Sequence, residues 1–325
     1  MSTPTIEIQR YSPQSFEGWD DLVWSMNNGT MFHTRQFLSY HPKDRFTDHS
    51  LIFHVADKPL ALFPAAEKII DGNKWLISHP GSSYGSFVVP EHLSFANSYG
   101  LVKALKQHAK EQGFFGIRLT LPPTIYNKRL SNYVDFALVK HGFNYVKREI
   151  SSILFLESSV EENLANFRPS HRQAVRKAER MGVTVKPSED YDAFYHILEK
   201  NLNIRHGVTP THTLEELKKL KQLFPERINL FGAFVDDIMV AGVVNFIVTD
   251  NVVLAFYISH DESYQEYRAL NLLFYSIFDW AIQEKYRVFD FGIFTVNEEP
   301  NMGLGRFKEN FGASGMFRDT LEIQL

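Results

Sequence analysis

The sequence predicts a mixed α/β fold that is duplicated along the chain. Residues 228–259, INLFGAFVDDIMVAGVVNFIVTDNVVLAFYIS, have the pattern of three strands joined by two tight turns. Residues 50–69, SLIFHVADKPLALFPAAEKI, have the pattern of a shorter hairpin. A helical pattern and then a buried strand follow each of these segments, so the two halves share one order of elements.

The first half begins its sheet with the hairpin of residues 50–69, whose turn is near Asp57-Lys58-Pro59, and adds the strand KWLISHP. The next segment, GLVKALKQHAKEQGF, is a predicted helix because its apolar residues recur close to the 3.6-residue period. The strand FGIRLTLPP follows. The segment YVDFALVKHGFNYVKREISSILFL then predicts a helix, a turn and a strand.

The second half repeats this order after its three-stranded segment, whose turns are Asp236-Asp237 and Asp250-Asn251. A long helix is predicted from about Ala269 to Lys285, and a strand from Arg287 to Phe294. A loop over Gly303–Gly315 and a last strand, DTLEIQL, complete it. The repeat suggests a boundary near Ser151, hence domains of residues 1–150 and 151–325.

Length and composition agree with two folded domains and exclude several classes of protein. The 325 residues include 28 phenylalanines, which is ample for two cores, and the net charge of −4 does not indicate a nucleic-acid binder. The absence of cysteine excludes disulfides and thiolate zinc sites. His206 and His212 have no carboxylate beside them, so we expect no metal site.

The N-terminal residues, MSTPTIEIQRYSPQSF, have neither a basic lead nor an apolar core, so they do not predict a signal peptide. The longest apolar run, Ile238 to Val248, is interrupted by Asn245 and is shorter than the roughly 18 residues that span a bilayer. These features predict a cytoplasmic protein without a transmembrane segment.

Motifs of other enzyme classes are absent or in the wrong order. Asp290-Phe291-Gly292 precedes the Gly303-Leu304-Gly305 segment, whereas a protein kinase has its glycine-rich loop first. The sequence contains no Walker loop, no Rossmann glycine fingerprint, no Gly-x-Ser-x-Gly and no His-Glu-x-x-His. Kinase, nucleotide-hydrolase, dehydrogenase, α/β-hydrolase and zinc-protease functions are therefore not expected.

Three segments together resemble a known superfamily: HRQAVRKAERMGV at 171–183, NLLFYSIFDWAIQEKYRVFDFG at 271–292 and GLGRFKENFGA at 303–313. TMFHTRQFL and GSSYGSFVV contribute a weaker likeness in the first half. The combination resembles the GNAT acyltransferases. Within them it is similar to the tandem-GNAT proteins of the bacterial Fem family, the peptidoglycan-bridge aminoacyltransferases, and to BioF-like acetyltransferases.

This resemblance implies two tandem GNAT (acyl-CoA N-acyltransferase-like) domains. The N-terminal domain would shape the acceptor site, and the C-terminal domain would hold the donor and the catalytic cleft. The implied reaction is direct transfer of an acyl group to an amine of a cell-envelope precursor, nucleotide-linked or lipid-linked, or of another anionic small molecule. The donor would be an acyl-CoA such as acetyl-CoA. Alternatives are an aminoacyl-tRNA donor and a degenerate GNAT fold that only binds ligand.

Acyl transfer needs a hydrogen-bond donor that stabilises the carbonyl oxygen as it becomes negative. In GNAT folds a backbone amide on the fourth strand is this hydrogen-bond donor. By position, the resemblance implies the strand that contains Phe256, Tyr257 and Ile258. The resemblance therefore implies donor contacts at Phe256 and Ile258. Tyr257 is a candidate to donate its hydroxyl to the leaving group. The alternative is a tyrosine half-buried on a strand.

The start of the helix after this strand is the expected site for the donor's phosphates, because free N–H groups and the helix dipole favour anions there. Arg268 supplies a positive charge, and Asn271 is a candidate helix cap or donor contact. The glycines typical of a coenzyme A turn are absent from YQEYRALNLLFY. This absence keeps the aminoacyl-tRNA alternative open.

Phe307-Lys308 matches a Phe-Lys of the Fem family that is associated with donor binding and transfer, although Ala313 replaces a final glycine. Lys308 is therefore a catalytic candidate, the alternative being a surface charge on a turn. Asp290 lies in an apolar strand, so it should be paired or functional. It is a candidate base, the alternative being a salt bridge to an arginine or to Lys308.

Basic residues predict contacts with an anionic acceptor. Arg172, Arg176 and Arg180 recur every four residues and so share one face of a predicted helix. The family likeness favours phosphate binding by Arg172 and Arg176, and the alternative is an ordinary solvated face. Arg205 matches in position an arginine that Fem-type enzymes place near the acceptor's phosphate.

Overall fold

The computed structural model describes residues 5–14, 16–206 and 209–325, with side chains throughout except for residues 202–206. The chain divides into two compact units. The first contains the residues up to Glu149 together with Phe317–Leu325, and the second contains Ile150–Met316. This division falls beside the predicted boundary near Ser151, whereas the predicted domain of residues 151–325 extends further than the second unit.

The first unit contains most of the short strands. Its strands are β1 (Glu7–Arg10), β2 (Thr47–Asp48), β3 (Leu51–Val55), β4 (Lys58–Phe63), β5 (Ala66–Ile70), β6 (Asn73–Ser78), β7 (Gly116–Thr120) and the first part of β8 (Asn144–Phe155). Its helices are α1 (Trp19–Ser25), α2 (Arg35–Leu38), α3 (Phe95–Glu111) and α4 (Tyr133–Lys140), with 3₁₀ turns at Met31–His33 and Thr124–Tyr126.

The second unit continues with longer strands and helices. Its helices are α5 (Val160–Asn166), α6 (Pro169–Arg180), α7 (Tyr191–His206), α8 (Leu214–Leu223), α9 (Ala269–Gln283) and α10 (Met302–Glu309), with a 3₁₀ segment at Glu262–Tyr267. Its strands are β9 (Thr184–Ser188), β10 (Ile228–Val235), β11 (Ile238–Thr249), β12 (Val252–His260), β13 (Val288–Ile293), β14 (Thr295–Val296), β15 (Glu299–Pro300) and the start of β16 (Ser314–Gln324).

Each unit has a mostly antiparallel sheet that contains one parallel pair. In the first unit the strands lie in the order β2-β5-β6-β7-β16, with β6 and β7 parallel, beside a small β1-β3-β4 sheet. In the second the order is β8-β13-β12-β11-β10-β9, with β12 and β13 parallel. Helix α3 packs on the first sheet and α9 on the second. The predicted mixed α/β class, with mostly antiparallel sheets flanked by helices, is confirmed.

The tight turn between β10 and β11 confirms the prediction made from its two aspartates. Asp236 and Asp237 have φ of 48° and 63°, the positive values that a two-residue hairpin turn of type I′ requires at both central positions. Aspartate tolerates this region better than most residues because its short polar side chain can hydrogen-bond locally.

The predicted loop over Gly303–Gly315 is wrong for its first half, because residues Met302–Glu309 form α10. The side chain of Asn301 caps this helix by accepting a hydrogen bond from Leu304 N at 3.0 Å. Two glycines cost a helix about 1 kcal/mol each. Gly305 and Lys308 are buried against the rest of the unit, and Lys308 donates hydrogen bonds to two carbonyl groups there, so tertiary contacts accompany the cap.

The last strand lies in the first unit, although the sequence grouped it with the second half. Residues Thr320–Gln324 of β16 pair antiparallel with β7, from Thr320 opposite Thr120 to Gln324 opposite Gly116. Leu321 and Ile323 consequently belong to the core on which α3 packs.

Candidate active site

The parallel strands β12 and β13 separate soon after they meet. Their pairing covers Val252–Leu254 opposite Val288–Asp290, and β12 then continues to His260 paired with β11 alone among the described strands. The edge of β12 that turns toward β13 is therefore not covered by a strand after Leu254. Backbone N–H and C=O groups along such an edge are available to an extended ligand.

A bulge in β13 accompanies this separation. The register between β13 and β8 shifts between Asp290 and Ile293, so that three steps along β13 match two steps along β8. Gly292 lies inside the bulge with φ of +73°, a value that favours glycine. The Asp-Phe-Gly motif of the sequence is therefore the segment in which β13 leaves its neighbours.

Asp290 holds this bulge from one side. Its side chain is completely buried, and Oδ1 accepts hydrogen bonds from Ser151 Oγ at 2.5 Å and from Gly292 N at 2.7 Å. A buried carboxylate is stable only when such donors replace water. The carboxylate thus fixes the glycine two residues further along its own strand.

Lys308 holds the same bulge from α10. Only 1% of its surface is exposed, and Nζ donates to Gly292 O at 2.7 Å and to Ile293 O at 2.8 Å. Burial lowers the pKa of the ammonium to about 8, and the negative charge of Asp290 opposes this shift. The alternative reading of Lys308 as a surface charge on a turn is wrong, because the residue is a buried helical lysine.

The strand β12 has its own irregularity at the predicted site. The register between β11 and β12 shifts between Val244 and Asn245, which leaves Phe256 without an opposite residue. The Phe256 ring stacks on Phe246 with centroids 4.4 Å apart. Ile258 packs against the core beneath α9. Phe256 and Ile258 therefore lie on the strand whose edge is open, in agreement with their predicted place.

Tyr257 is engaged by a histidine. Its hydroxyl accepts a hydrogen bond from His212 N at 3.0 Å and lies 2.9 Å from His212 Nδ1. Burial raises the pKa of the phenol above its ordinary value, against the effect of the hydrogen bonds from His212 and Thr211. In the tautomer whose Nδ1 accepts from this hydroxyl, donation from Tyr257 to a leaving group requires that hydrogen bond to break.

A cleft of about 190 Å³ opens at the start of α9. It contains three of the predicted donor contacts, Arg268, Asn271 and Phe307. The other residues that line it are His171, Val240, His260, Asp261, Tyr264, Gln265, Ala269 and Leu270. Side chains from α6, α9 and α10 therefore lie around the N-terminus of α9.

The chemistry of this cleft suits an anion. Arg268, which precedes α9, offers no side-chain cap to it and has φ of +56°, a conformation in which glycine is more usual. Asn271 is 8% exposed, and its Nδ2 is buried without a hydrogen-bond partner among the described residues. A free amide donor, a guanidinium and the first N–H groups of a helix together match phosphate oxygens.

His171 was not singled out in the sequence, yet it lines the same cleft. Burial lowers the pKa of its imidazole, and the charges of Arg168 and Arg268 lower it further. The imidazole is therefore kept neutral beside two guanidinium groups. A lone histidine in a basic helix has no pattern that would have indicated this position, which depends on the packing of α6 against α9.

The predicted basic face exists on α6. Val175 and Ala178 are buried, whereas Arg176 and Arg180 are exposed. Arg172 is half-buried and donates from a guanidinium nitrogen to Ala165 O at 2.8 Å. The side chain of Arg205, the other predicted acceptor contact, lies outside the described residues.

In the first unit, the loop after β6 lies where the two parallel strands would otherwise separate, as β12 and β13 do in the second unit. Strands β6 and β7 pair in parallel up to Ser78 opposite Leu119. Just beyond, Gly85 N donates to Thr120 O at 2.8 Å. A side chain at Gly85 would bring its Cβ within 2.1 Å of Ser78 O, so only glycine fits. The loop after β6 thus fills the place that is open in the second unit.

Within the described part of the chain, no group of three or more histidine, aspartate or glutamate side chains is arranged to hold a metal ion. Among the same residues, no helix combines the length and the apolarity needed to cross a lipid bilayer.

Comparison with known proteins identifies the second unit most directly. Residues 165–309, which contain all the elements around the cleft, match the family model described as an acetyltransferase (GNAT) domain. The sequence has no significant match among curated proteins.

Several solved structures share the fold over nearly the whole chain. FemX has a TM-score of 0.73 at 14% identity, covering 98% of this chain and 97% of FemX. L-PGS from Bacillus licheniformis has a TM-score of 0.59 at 12% identity, covering 96% and 92%. A tandem GNAT protein from the clavulanic acid biosynthesis pathway has a TM-score of 0.56 at 9% identity, covering 98% of both chains. At these identities the likeness concerns the fold.

Proposed function

Residues 165–309 match the acetyltransferase (GNAT) domain family model, and from this match we propose that the chain moves an acyl group from an acyl-CoA to an amine. The acceptor in this proposal is an anionic small molecule, such as a nucleotide-linked or lipid-linked precursor of the cell envelope. The neutral amine attacks the acyl carbonyl directly, a carbon–nitrogen bond forms as the carbon–sulfur bond breaks, and no covalent enzyme intermediate forms. The proton that the nitrogen loses is balanced by protonation of the departing coenzyme A thiolate.

One observation carries the proposal: an open strand edge and an anion-suited cleft occur together in the second unit. The edge of β12 beyond Leu254 offers backbone N–H groups to a carbonyl oxygen that gains negative charge. The cleft at the start of α9 offers Arg268 and the Asn271 amide to the donor's phosphates. Bound there, an acyl-CoA would supply the activated thioester.

The contacts of Lys308 and Asp290 support a positioning role in this reaction. Both side chains are buried, and they form hydrogen bonds to the bulge around Gly292 and to Ser151. They maintain the separation of β13 from β12 and do not themselves exchange protons with the substrates. The predicted roles of Tyr257 at the leaving group, and of the N-terminal domain at the acceptor, stay predictions.

The acceptor side of the proposal rests on α6. Arg176 and Arg180 present two exposed guanidinium groups on one face of the helix. Guanidinium groups bind phosphates through paired hydrogen bonds, so this face fits a phosphorylated acceptor.

Titration with acetyl-CoA, followed by thermal unfolding and calorimetry, tests the donor. We expect a concentration-dependent stabilisation that reaches about 2.7 kcal/mol at one hundred times the dissociation constant. Arg268→Ala and Asn271→Ala should each weaken binding about tenfold, because each removes a hydrogen bond to a charged group. Arg306→Ala removes another exposed arginine of this unit, and it should bind acetyl-CoA like the wild type.

An absence of stabilisation at millimolar acetyl-CoA would exclude the acyl-CoA donor. If Arg268→Ala and Asn271→Ala both bind acetyl-CoA like the wild type, the donor binds somewhere other than the start of α9. Binding without transfer to any amine of a phosphorylated acceptor panel would favour the alternative of a GNAT fold kept only for binding.

The exposed guanidinium groups of α6 also favour a second candidate, transfer from aminoacyl-tRNA. In that case binding of tRNA should weaken steeply with salt, because each neutralised phosphate releases counterions. Arg176→Glu with Arg180→Glu should flatten this salt dependence, whereas Lys218→Glu with Lys219→Glu on α8 should not. tRNA binding that is weak and independent of salt would exclude this candidate.

A further inference from the structure

Helix α3 of the first unit presents one stripe of aromatic and basic side chains. The stripe consists of Phe95, Tyr99, Lys103, Lys106 and Lys110, spaced by four, four, three and four residues. Because a helix repeats every 3.6 residues, these five positions lie along one side. The aromatic residues lie at the N-terminal end of the stripe and the lysines toward its C-terminal end.

Helix α4 enlarges the aromatic end of this stripe. Phe95, Tyr133, Phe136 and Val139 are 43%, 47%, 56% and 45% exposed. The Phe95 ring lies 5.6 Å from the ring of Tyr133 and 5.7 Å from that of Phe136, so these aromatics form one surface cluster. Such a contiguous exposed apolar cluster is unusual on a monomer and marks a surface that contacts something apolar.

The basic end of the stripe is a shallow groove lined by Tyr99, the three lysines, Gln107 and His141. Lys103 and Lys110 are exposed and have no ion-pair partner within the described residues, and Lys106 Nζ donates to His141 O. The nearest acid on the helix, Glu111, accepts a hydrogen bond from Gln107 at 2.6 Å. The groove thus keeps a local positive charge on a chain of net charge −4.

We propose that this aromatic–lysine surface of α3 and α4 docks on an anionic lipid bilayer. Exposed aromatic side chains enter the headgroup boundary, and adjacent lysines are attracted by the negative headgroups. A polyanion such as RNA would account for the lysines, but not for the aliphatic Val139 beside the aromatic cluster. The surface is helical, and its charge is complementary to that of anionic lipid. This inference is independent of the acyl donor proposed above.

Sedimentation with lipid vesicles tests the inference on the full chain. We expect binding to vesicles that contain phosphatidylglycerol, weakened by salt, and little binding to vesicles of phosphatidylcholine alone. Lys103→Glu with Lys110→Glu should lower the partition coefficient by at least about 25-fold, since each surface lysine contributes about fivefold at low salt. Phe136→Ser should lower it severalfold without changing the slope with salt.

Matched variants elsewhere on the same unit serve as controls. Lys58→Glu with Lys68→Glu reverses two other exposed lysines, and Ile69→Ser removes another exposed apolar side chain, which is 65% exposed. These variants should bind vesicles much more like the wild type than their counterparts on α3 and α4. All variants lie at the surface, and their folding is verified by thermal unfolding.

Three results would overturn the inference. The first is no binding to phosphatidylglycerol vesicles at low salt. The second is an equal loss of vesicle binding in the control variants, which would mean that the net charge of the protein, and not this surface, determines binding. The third is concentration-dependent self-association that Phe136→Ser abolishes while vesicles bind nothing, which would make the surface a contact between two copies of the chain.

Discussion

Replacing Lys308 by methionine is expected to lower the free energy of unfolding by about 2 kcal/mol at pH 7 and the transfer rate by at least about a hundredfold. Methionine leaves the buried carbonyl groups of Gly292 and Ile293 without the donor that they have in the wild type. Loss of the buried charge partly offsets that cost. The rate falls because the bulge then relaxes and β12 loses its open edge.

Denaturant unfolding and steady-state transfer assays measure the two effects. Arg306→Met on the same helix is the control, because Arg306 is exposed, and it should change the free energy of unfolding by less than about 0.5 kcal/mol. A Lys308→Met protein of unchanged stability that has lost transfer would contradict the positioning role. It would favour direct participation of the ammonium group.

Comparison of the wild type with Lys308→Met over a range of pH measures the pKa of Lys308. Burial lowers this pKa from 10.5 in the unfolded chain to about 8 in the folded chain. Between these values the unfolded chain binds more protons at this position than the folded chain does. The free energy of unfolding of the wild type should therefore rise with pH relative to Lys308→Met, by about 1.4 kcal/mol per pH unit above pH 8. Below pH 8 the difference should be constant.

Other titrating groups are common to both proteins and cancel in this difference, so it isolates Lys308. A difference that is constant from pH 7 to pH 10 would show that the ammonium keeps an ordinary pKa.

Replacing Asp290 by alanine should lower the free energy of unfolding by about 4 kcal/mol, which is more than we expect for Lys308→Met. The Ser151 hydroxyl and the Gly292 N–H lose a buried acceptor, and the Lys308 ammonium loses a nearby negative charge. Asp290→Asn keeps an acceptor oxygen and should cost less. It should also lower the pKa of Lys308 below 8, because the charge that opposed burial is gone.

Denaturant unfolding between pH 6 and pH 10 distinguishes these variants, with Glu309→Ala as the control for loss of an exposed carboxylate on α10. Asp290→Asn should move the pH at which stability begins to rise to a lower value. An asparagine variant that is as unstable as the alanine variant would mean that charge, and not the acceptor oxygen, holds the bulge.

Much of the fold followed from local patterns in the sequence. The turn at Asp236-Asp237 and the helix starting at Ala269 depend on residues adjacent in the chain, which is why they were predicted well. The mixed α/β class and the likeness to tandem GNAT proteins are confirmed by the shared fold. The expectation of an acyltransferase is confirmed by the match of residues 165–309 to an acetyltransferase (GNAT) domain.

The errors arose where the outcome depends on distant residues. The alternative of a surface charge stayed open for Lys308, because its carbonyl partners lie 15 and 16 residues earlier in the chain. Helix α10 was missed because Gly303 and Gly305 disfavour helices locally, although Asn301 was a signal for its start. The position of His171 depends on how α6 packs against α9, which no local pattern encodes.

The Gly85 contact has a consequence for stoichiometry. In the first unit, the loop after β6 covers the end of the parallel pair β6 and β7 through the Gly85 hydrogen bond. In the second unit, no described strand covers the edge of β12 beyond Leu254. A saturating titration with an acyl donor should therefore approach one equivalent per chain, although each unit has a sheet with one parallel pair. In that case the first unit enlarges the scaffold of the protein without adding a second site for the donor.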